Sequence, residues 1–319
     1  MKPALRLDFA DFWSDFVKND NFFYHLLARR YDVKLVPDPD FLIYSFFGKR
    51  HLSYSCHRIF YTGEPQRPDF SVCDFALSFD HLADNPAHFR LPLYALYASP
   101  PALIKPPGFD VDAVMKEKTR FCNLVASHGR GAAGKRVEFF HALSKYKRVD
   151  AGGRLLNNVG GPVPDKMAFI RNYKFTIAFE NVSYPGYTSE KIVQSMAVNS
   201  LPIYWGNPLV HRDFNTRSFL NYDDYGSDEA LIERIIEVDR NDDLYRQYLL
   251  EPWFNGNRAN EFIDPERILD FFDAAFRTDR KPVAAKRGRS FRFGRVFSGL
   301  KAGGRRLALR APERNPPEE

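Results

Sequence analysis

The residues best suited to chemistry lie in a turn between an apolar strand and the helix after it. Glu180 and Asn181 end the strand, and Glu190 and Lys191 lie in the first turn of a helix that Ser189 can cap. A helix N-terminus offers amide N–H groups and partial positive charge, which suit a diphosphate. Lys191 could add a full charge, and the Glu190 carboxylate could accept hydrogen bonds from ribose hydroxyls. An ordinary first-turn acid and a solvated lysine explain the same spacing.

Other acidic residues could also carry chemistry. Glu64 lies in the turn Thr-Gly-Glu-Pro after an apolar run, and by its residues alone it is typical of a surface turn acid. Asp110 and Asp112 have the Asp-x-Asp letters of metal-dependent transferases. They follow a Pro-Pro-Gly loop rather than a strand, so we expect no metal there. The histidines show no metal-like pairing either.

A strand, a helix and a second strand must position the first of these groups. Phe175, Ile177 and Phe179 alternate with smaller or polar residues, which predicts a strand. A helix should follow from Glu190 to Asn199, and residues 201 to 205 (LPIYW) predict the next strand. Strand, helix and strand within about thirty residues indicate one right-handed unit of a parallel sheet. Nucleotides bind at the carboxyl ends of such strands.

Three segments resemble the signature of the α-1,3/1,4-fucosyltransferases, glycosyltransferase family ten. They are residues 174 to 181 (KFTIAFEN), 186 to 192 (GYTSEKI) and 201 to 208 (LPIYWGNP). Further segments are similar to other parts of that family in the expected order: residues 60 to 64, 73 to 80, 90 to 94 and 217 to 221. The resemblance extends over about residues 58 to 275 and leaves out both ends of the chain.

The resemblance implies an α/β fold of GT-B architecture, with two Rossmann-like domains that face a cleft. We predict an acceptor-binding domain over residues 1–150, a GDP-fucose-binding domain over 151–279 and a basic tail over 280–319. The family's site residues match six positions here. Glu64 would be the general base, Glu190 would hold the ribose, Lys191 would hold the diphosphate, and Asn181 and Tyr187 would line the donor pocket.

The sixth position is Arg136, which matches a family arginine that contacts the diphosphate. That match crosses a variable loop, so Lys135 and Arg130 remain alternatives. The chemistry favours a metal-independent site. GDP-β-L-fucose becomes an α-fucoside, so a single inverting displacement suffices, and a carboxylate takes the acceptor's proton. Arginine and lysine can stabilise the departing diphosphate, so we expect no cofactor and no obligatory divalent metal.

The positive charge of the chain is concentrated near its end. The net charge is +6, and residues 280 to 310 hold eleven Lys and Arg with no Asp or Glu. Removing these charges and the net −2 of the last nine residues leaves −3 for residues 1 to 279, so a nucleic-acid-binding body is not expected. The tail predicts either a basic amphipathic helix on an anionic membrane surface or a disordered basic segment.

No apolar run is long enough for a membrane span, and the three cysteines lack metal-ligand spacing. We therefore expect a bacterial, cytoplasmic protein, peripheral on the inner face of the membrane. Its predicted activity is transfer of L-fucose from GDP-fucose to GlcNAc in an oligosaccharide or lipid-linked glycan, as in lipopolysaccharide, in α-1,3 (or α-1,4) linkage. The alternatives are a GT-B transferase for another nucleotide sugar, and a non-enzymatic protein that binds membranes or nucleic acid through its tail.

Overall fold

Two parallel β-sheets organise the computed structural model, which describes residues 1–127 and 134–284. The first sheet has six strands in the order β2-β1-β3-β4-β5-β6, and every neighbouring pair is parallel. These strands are β1 (Ala4–Ala10), β2 (Asp32–Leu35), β3 (Phe41–Tyr44), β4 (His57–Tyr61), β5 (Phe75–Ser78) and β6 (His88–Arg90).

The second sheet has five strands in the order β11-β10-β9-β7-β8, again all parallel. These strands are β7 (Arg120–Leu124), β8 (Val149–Ala151), β9 (Tyr173–Phe179), β10 (Leu201–Trp205) and β11 (Leu220–Asn221). Parallel strands need crossover connections, and helices or long loops supply them here.

The described α-helices are between four and thirteen residues long. Within the described ranges, none of them is long and apolar enough to cross a membrane. They are α1 (Phe22–Leu27), α2 (Tyr94–Tyr97), α3 (Pro100–Leu103), α4 (Val111–Glu117), α5 (Gly134–Ser144), α6 (Lys166–Arg171), α7 (Glu190–Ala197), α8 (Asp228–Arg240), α9 (Asp242–Leu250) and α10 (Pro265–Phe276).

The predicted strand-helix-strand unit is confirmed as β9, α7 and β10. Strand β9 is buried along nearly its whole length, and β10 pairs with it in parallel from Leu201 opposite Phe175 to Trp205 opposite Phe179. Helix α7 packs its Ile192, Val193 and Met196 side into the core. It ends before Asn199, whose φ of 53° lets the chain turn into β10.

The two sheets divide the chain earlier than the predicted boundary at residue 150. Cys122 in β7 lies opposite Phe175 in β9, so β7 and β8 belong to the second sheet although both begin before that boundary. Helix α10 then returns to the first sheet, where Phe272 packs on Phe23. Pairing between distant strands decides this division, and the local pattern of a short strand such as β7 does not reveal its partner.

A buried arginine joins the two domains. Arg90, at the end of β6, makes two hydrogen bonds of 2.8 Å to the Asp213 carboxylate. The same guanidinium donates to the carbonyl oxygens of Phe79 and Gly186, each at 3.1 Å. Both charged side chains are almost fully buried, and such bidentate pairs are geometrically specific. This network ties the end of β6 to the Gly186 loop and to Asp213 of the second domain.

Candidate active site

A cleft of about 360 Å³ lies where the carboxyl ends of the two sheets meet. Residues that follow β4 and β6 form one wall, and residues that follow β7 and β9, with parts of α5, α6 and α7, form the other. All six residues predicted from the sequence line this cleft. Among residues 1–127 and 134–284, the lining consists of Glu64, Leu93, Val125, Ala126, Ser127, Arg136, Lys166, Asn181, Tyr187, Ser189, Glu190 and Lys191.

Glu64 is the acidic group on the first-domain wall. The Thr62 hydroxyl fixes its turn, because it accepts from the Glu64 N–H at 3.0 Å and donates to the Glu64 carbonyl at 2.9 Å. The Tyr187 hydroxyl donates to Oε2 of Glu64 across the cleft at 3.3 Å. Burial raises the pKa of Glu64 above the ordinary glutamate value, although Lys191 and Tyr187 oppose the rise. Glu64 is thus a stronger base than a surface glutamate.

Tyr187 is held by a tight loop of the second domain. The preceding residue, Gly186, has φ of +88°, and a Cβ there would lie 2.3 Å from the Phe79 carbonyl oxygen. Only glycine fits this close approach. The Tyr187 ring is 1% exposed and packs edge-on against Phe79, with centroids 5.4 Å apart. Burial raises the pKa of Tyr187, so its hydroxyl stays protonated and remains a donor.

The carboxylate of Glu180, a residue for which the sequence predicts no role, organises the start of α7. Its fully buried carboxylate accepts from the Ser189 N–H and the Ser189 hydroxyl, each at 2.7 Å, and from Lys191 Nζ at 3.0 Å. A Cβ at Gly206 would lie 2.4 Å from Cγ of Glu180, so glycine there makes room for this side chain. The amide of the predicted cap, Ser189, is therefore bonded to Glu180 rather than open to the cleft.

Lys191 and Glu190 lie side by side and are both charged. Burial by itself would lower the pKa of Lys191, but Glu180 and Glu190 raise it above the ordinary lysine value. Burial would raise the pKa of Glu190, but Lys191 and Lys166 hold it below its usual value. The nearest charged atoms of Lys191 and Glu190 are 4.0 Å apart. A cation and an anion thus occupy adjacent positions of the cleft.

Arg136 approaches the cleft from α5 and is 2% exposed. Its Nη2 donates to the Phe179 carbonyl at 2.6 Å and to Oδ1 of Asn181 at 3.0 Å, which ties α5 to the end of β9. The alternative Lys135 lies elsewhere, because its ammonium pairs with Asp228 and sits 3.8 Å from the Tyr222 ring centroid. The other alternative, Arg130, is outside the described residues.

Lys166 is a cleft residue that the sequence did not indicate. It begins the six-residue helix α6, and its ammonium donates to Gln194 of α7 at 2.6 Å. Burial lowers the pKa of Lys166, and Glu190 opposes that change. No local pattern marks this lysine, since it follows an irregular segment and reaches the cleft only through its long side chain. With Arg136 and Lys191 it makes three basic side chains among the described residues that line the cleft.

The Asp-x-Asp pair lies away from the cleft. Asp110 caps α4 by accepting from the Ala113 N–H at 2.9 Å, and Asp112 forms an ion pair with Arg246. In residues 1–127 and 134–284, no three or more His, Cys, Asp or Glu side chains are grouped as metal ligands would be. The two acids have structural partners here, and the metal requirement of the reaction stays a prediction.

Comparisons with known proteins agree with the motifs. Residues 7–97 match the family described as the alpha-(1,3)-fucosyltransferase FucT N-terminal domain, and residues 115–264 match the C-terminal part of glycosyltransferase family 10 (fucosyltransferase). The second match also begins close to β7, where the second sheet starts.

The individual relatives reported below are also described as fucosyltransferases. The alpha-(1,3)-fucosyltransferase FucT of Helicobacter pylori is 30% identical over 87% of this chain and 67% of its own length. A putative fucosyltransferase of Acanthamoeba polyphaga mimivirus is 33% identical over 49% of this chain, which spans 26% of that protein. A crystal structure of an alpha1,3-fucosyltransferase with GDP-fucose superposes with a TM-score of 0.74 at 29% identity, over 88% of this chain and 92% of that one. The predicted GT-B architecture is confirmed by this match.

Proposed function

We propose that this chain, which belongs to glycosyltransferase family 10 and is a fucosyltransferase that uses GDP-fucose, transfers fucose with inversion to a GlcNAc hydroxyl in α-1,3 (or α-1,4) linkage. In this proposal Glu64 is the general base. The observation that carries the proposal is the placement of Glu64 on one wall of the cleft, with Tyr187, Glu190 and Lys191 on the other. A base for the acceptor thus faces a set of groups suited to a nucleotide diphosphate.

Glu64 takes the proton from the acceptor hydroxyl while the acceptor oxygen bonds to C1 of fucose. The bond from C1 to the diphosphate oxygen breaks in the same displacement, and GDP leaves. Tyr187 holds Oε2 of Glu64, so we assign Oε1 to the acceptor hydroxyl. Its raised pKa supports this role, because a general base works best when its pKa lies nearer the operating pH.

The departing diphosphate gains negative charge as the bond to C1 breaks, and we assign its stabilisation to Lys191 and Arg136, with Lys166 as a third cation. Partly buried cations act more strongly on such charge than solvated ones do. Glu180 positions Lys191 in the free enzyme at 3.0 Å. We assign Glu190 to the ribose hydroxyls, and Asn181 with Tyr187 to the wall of the donor pocket.

These protein charges supply the stabilisation that a divalent metal gives in other transferases, so we propose that no metal is obligatory. For the acceptor we propose an oligosaccharide or lipid-linked glycan of the lipopolysaccharide kind. We also propose a bacterial, cytoplasmic enzyme that reaches such an acceptor through the basic stretch 280–310 on an anionic membrane surface. Most of that stretch is outside the described residues.

The test is incubation of the purified full chain with GDP-fucose and a panel of GlcNAc-containing acceptors. Product linkage and anomeric configuration are then read by NMR. We expect an α-fucoside on O3 or O4 of GlcNAc, and no transfer from GDP-mannose or UDP-sugars in parallel reactions. Preferred transfer from another nucleotide sugar would establish the alternative GT-B activity. Membrane or nucleic-acid binding without turnover of any donor would establish the non-enzymatic alternative.

A further inference from the structure

Exposed apolar side chains gather at one place beside the cleft. The described residues include seven large hydrophobic side chains that are exposed, and three of them, Trp13, Val17 and Tyr97, line a single cavity. A fourth, Phe47, packs edge-on against Trp13 with centroids 6.3 Å apart. Single exposed apolar residues are common on any surface, but a group around one concavity indicates a binding site.

The cavity has a volume of about 250 Å³ and aromatic walls. Its floor is the buried ring of Tyr61, which packs on Phe23 at 4.7 Å. Trp13 is held on edge by Phe12 and Phe16, at centroid distances of 5.6 and 5.3 Å. An exposed ring that is braced in this way loses little conformational entropy when a ligand covers it.

This cavity adjoins the active site. Its floor residue, Tyr61, ends β4 three residues before Glu64. On the other side, Leu93 lines the cleft and Tyr97 lines the cavity, and they lie one helical turn apart at α2. Burial and the negative charge of Glu190 together raise the pKa of Tyr97, which agrees with this short separation. A ligand with its reactive hydroxyl at Glu64 could therefore extend directly into the cavity.

The rim of the cavity is acidic and polar, with Asp15, Asp20 and Asn21 around the aromatic walls. Pyranose rings present apolar C–H faces that pack on aromatic rings, and their hydroxyls donate to carboxylates. Pockets that combine aromatic walls with a few polar groups suit such ligands. An anionic lipid surface would instead be repelled by the two carboxylates, so the charge of the rim favours a neutral glycan over a membrane.

We propose that Trp13 and Tyr97 form a stacking platform for a pyranose ring of the acceptor, next to the sugar whose hydroxyl Glu64 deprotonates. This inference rests on the proposed function and specifies its acceptor side. The platform selects acceptors of at least two sugars, because a monosaccharide bound at Glu64 would leave the cavity empty.

The test compares Trp13→Ala and Tyr97→Ala with wild type, using GlcNAc and a GlcNAc-containing disaccharide as acceptors. We expect each variant to raise the disaccharide KM about 10-fold, as loss of an aromatic anchor typically does. The KM for GlcNAc and the GDP affinity by calorimetry should stay within twofold of wild type. The ring-retaining variants Trp13→Phe and Tyr97→Phe should lie near wild type, as should Leu250→Ala, an equally exposed apolar control on another surface.

A normal disaccharide KM in both alanine variants would overturn the inference while leaving fucose transfer by wild type intact. Failure of wild type to transfer fucose at all would instead remove the proposed function. Cosedimentation with anionic phosphatidylglycerol vesicles is measured in parallel. Vesicle binding that falls in the alanine variants, with an unchanged disaccharide KM, would assign the aromatic group to membrane insertion and also overturn the platform.

Discussion

The buried pair of Lys191 and Glu180 predicts that one lysine has two separable roles. Glu180 is fully buried, and its Oε2 lies 3.0 Å from Lys191 Nζ. Lys191→Ala would remove this cation and leave a buried carboxylate with only the two hydrogen bonds from Ser189. The same substitution would remove a cation that we assign to the diphosphate. Loss of stability and loss of catalysis should therefore appear together in this variant.

The magnitudes follow from burial. Breaking a buried pair by removing one partner costs about 3–5 kcal/mol of unfolding free energy. Because Ser189 still donates two hydrogen bonds to Glu180, we expect Lys191→Ala to cost about 3 kcal/mol, at the lower end of that range. Glu180→Gln should cost about 1–2 kcal/mol, since Lys191 is 16% exposed and can turn toward solvent in the cleft. The double variant leaves neither charge unpaired. The double variant should therefore lose about 2 kcal/mol less unfolding free energy than the two single variants lose together, as expected for residues in contact.

The double variant should regain part of its stability but none of its catalytic activity. Loss of a charged hydrogen bond to the diphosphate corresponds to about a 10- to 100-fold loss of GDP affinity, and kcat should fall as well because phosphate charge rises in the transition state. Glu190→Ala is the matched control. Ribose hydroxyls do not change during transfer, so this variant should raise the donor KM and leave kcat nearly unchanged. Neither change should alter the acceptor KM, because the acceptor lies across the cleft.

The assays are urea denaturation of the three Lys191 and Glu180 variants, donor and acceptor kinetics, and calorimetric GDP titration. Return of kcat in the double variant would show that Lys191 acts only by neutralising Glu180. Strictly additive stability losses would show that the two side chains are not energetically coupled. Wild-type GDP affinity with a raised acceptor KM, in either Lys191→Ala or Glu190→Ala, would mean that the second domain is not the donor domain.

Three further predictions concern the base, the metal and the tail. Because burial raises the pKa of Glu64, kcat/KM should fall as the pH is lowered, with an apparent pKa above the ordinary glutamate value. An apparent pKa at or below the ordinary value would contradict the assignment of Glu64 as the base. Transfer should persist in excess EDTA because protein cations stabilise the diphosphate; loss in EDTA with rescue by Mn²⁺ would point to Asp110 and Asp112. Truncation after Ala284 removes ten Lys and Arg and should abolish cosedimentation with anionic vesicles while soluble-acceptor transfer persists. A folded but inactive truncation would place the tail in the catalytic unit.

The folded body extends past residue 279, which is why the truncation is placed after Ala284. A truncation at the predicted boundary before residue 280 would remove contacts with the first domain, because the Val283 N–H donates to Asp74 at 2.7 Å. The start of the predicted tail therefore belongs to the folded body. Charge composition marked where the basic residues begin, but composition does not show where packing ends.

The unit β9-α7-β10 could be predicted because its alternation, cap and turn are local, and Glu190 and Lys191 are placed by that unit. Glu180 and Lys166 could not be given roles in this way. Glu180 acts through contacts with Ser189 and Lys191 that depend on how the strand end meets the helix. Lys166 reaches the cleft from a different crossover segment. Strand β7 pairs with β9, which lies about fifty residues later in the sequence. These are tertiary relations that short-range periodicity does not encode.

The central claim is that Glu64 is the base of a direct displacement on GDP-fucose, and Glu64→Gln tests it most directly. The amide keeps the shape of the side chain and can still accept from Tyr187, but it is far too weak a base. The measurement is the transfer rate at saturating donor and acceptor, together with GDP affinity by calorimetry. We predict unchanged GDP affinity and a rate about 10²–10⁴-fold below wild type. A rate within a few-fold of wild type, with GDP still bound, would contradict the account and assign the proton to another group.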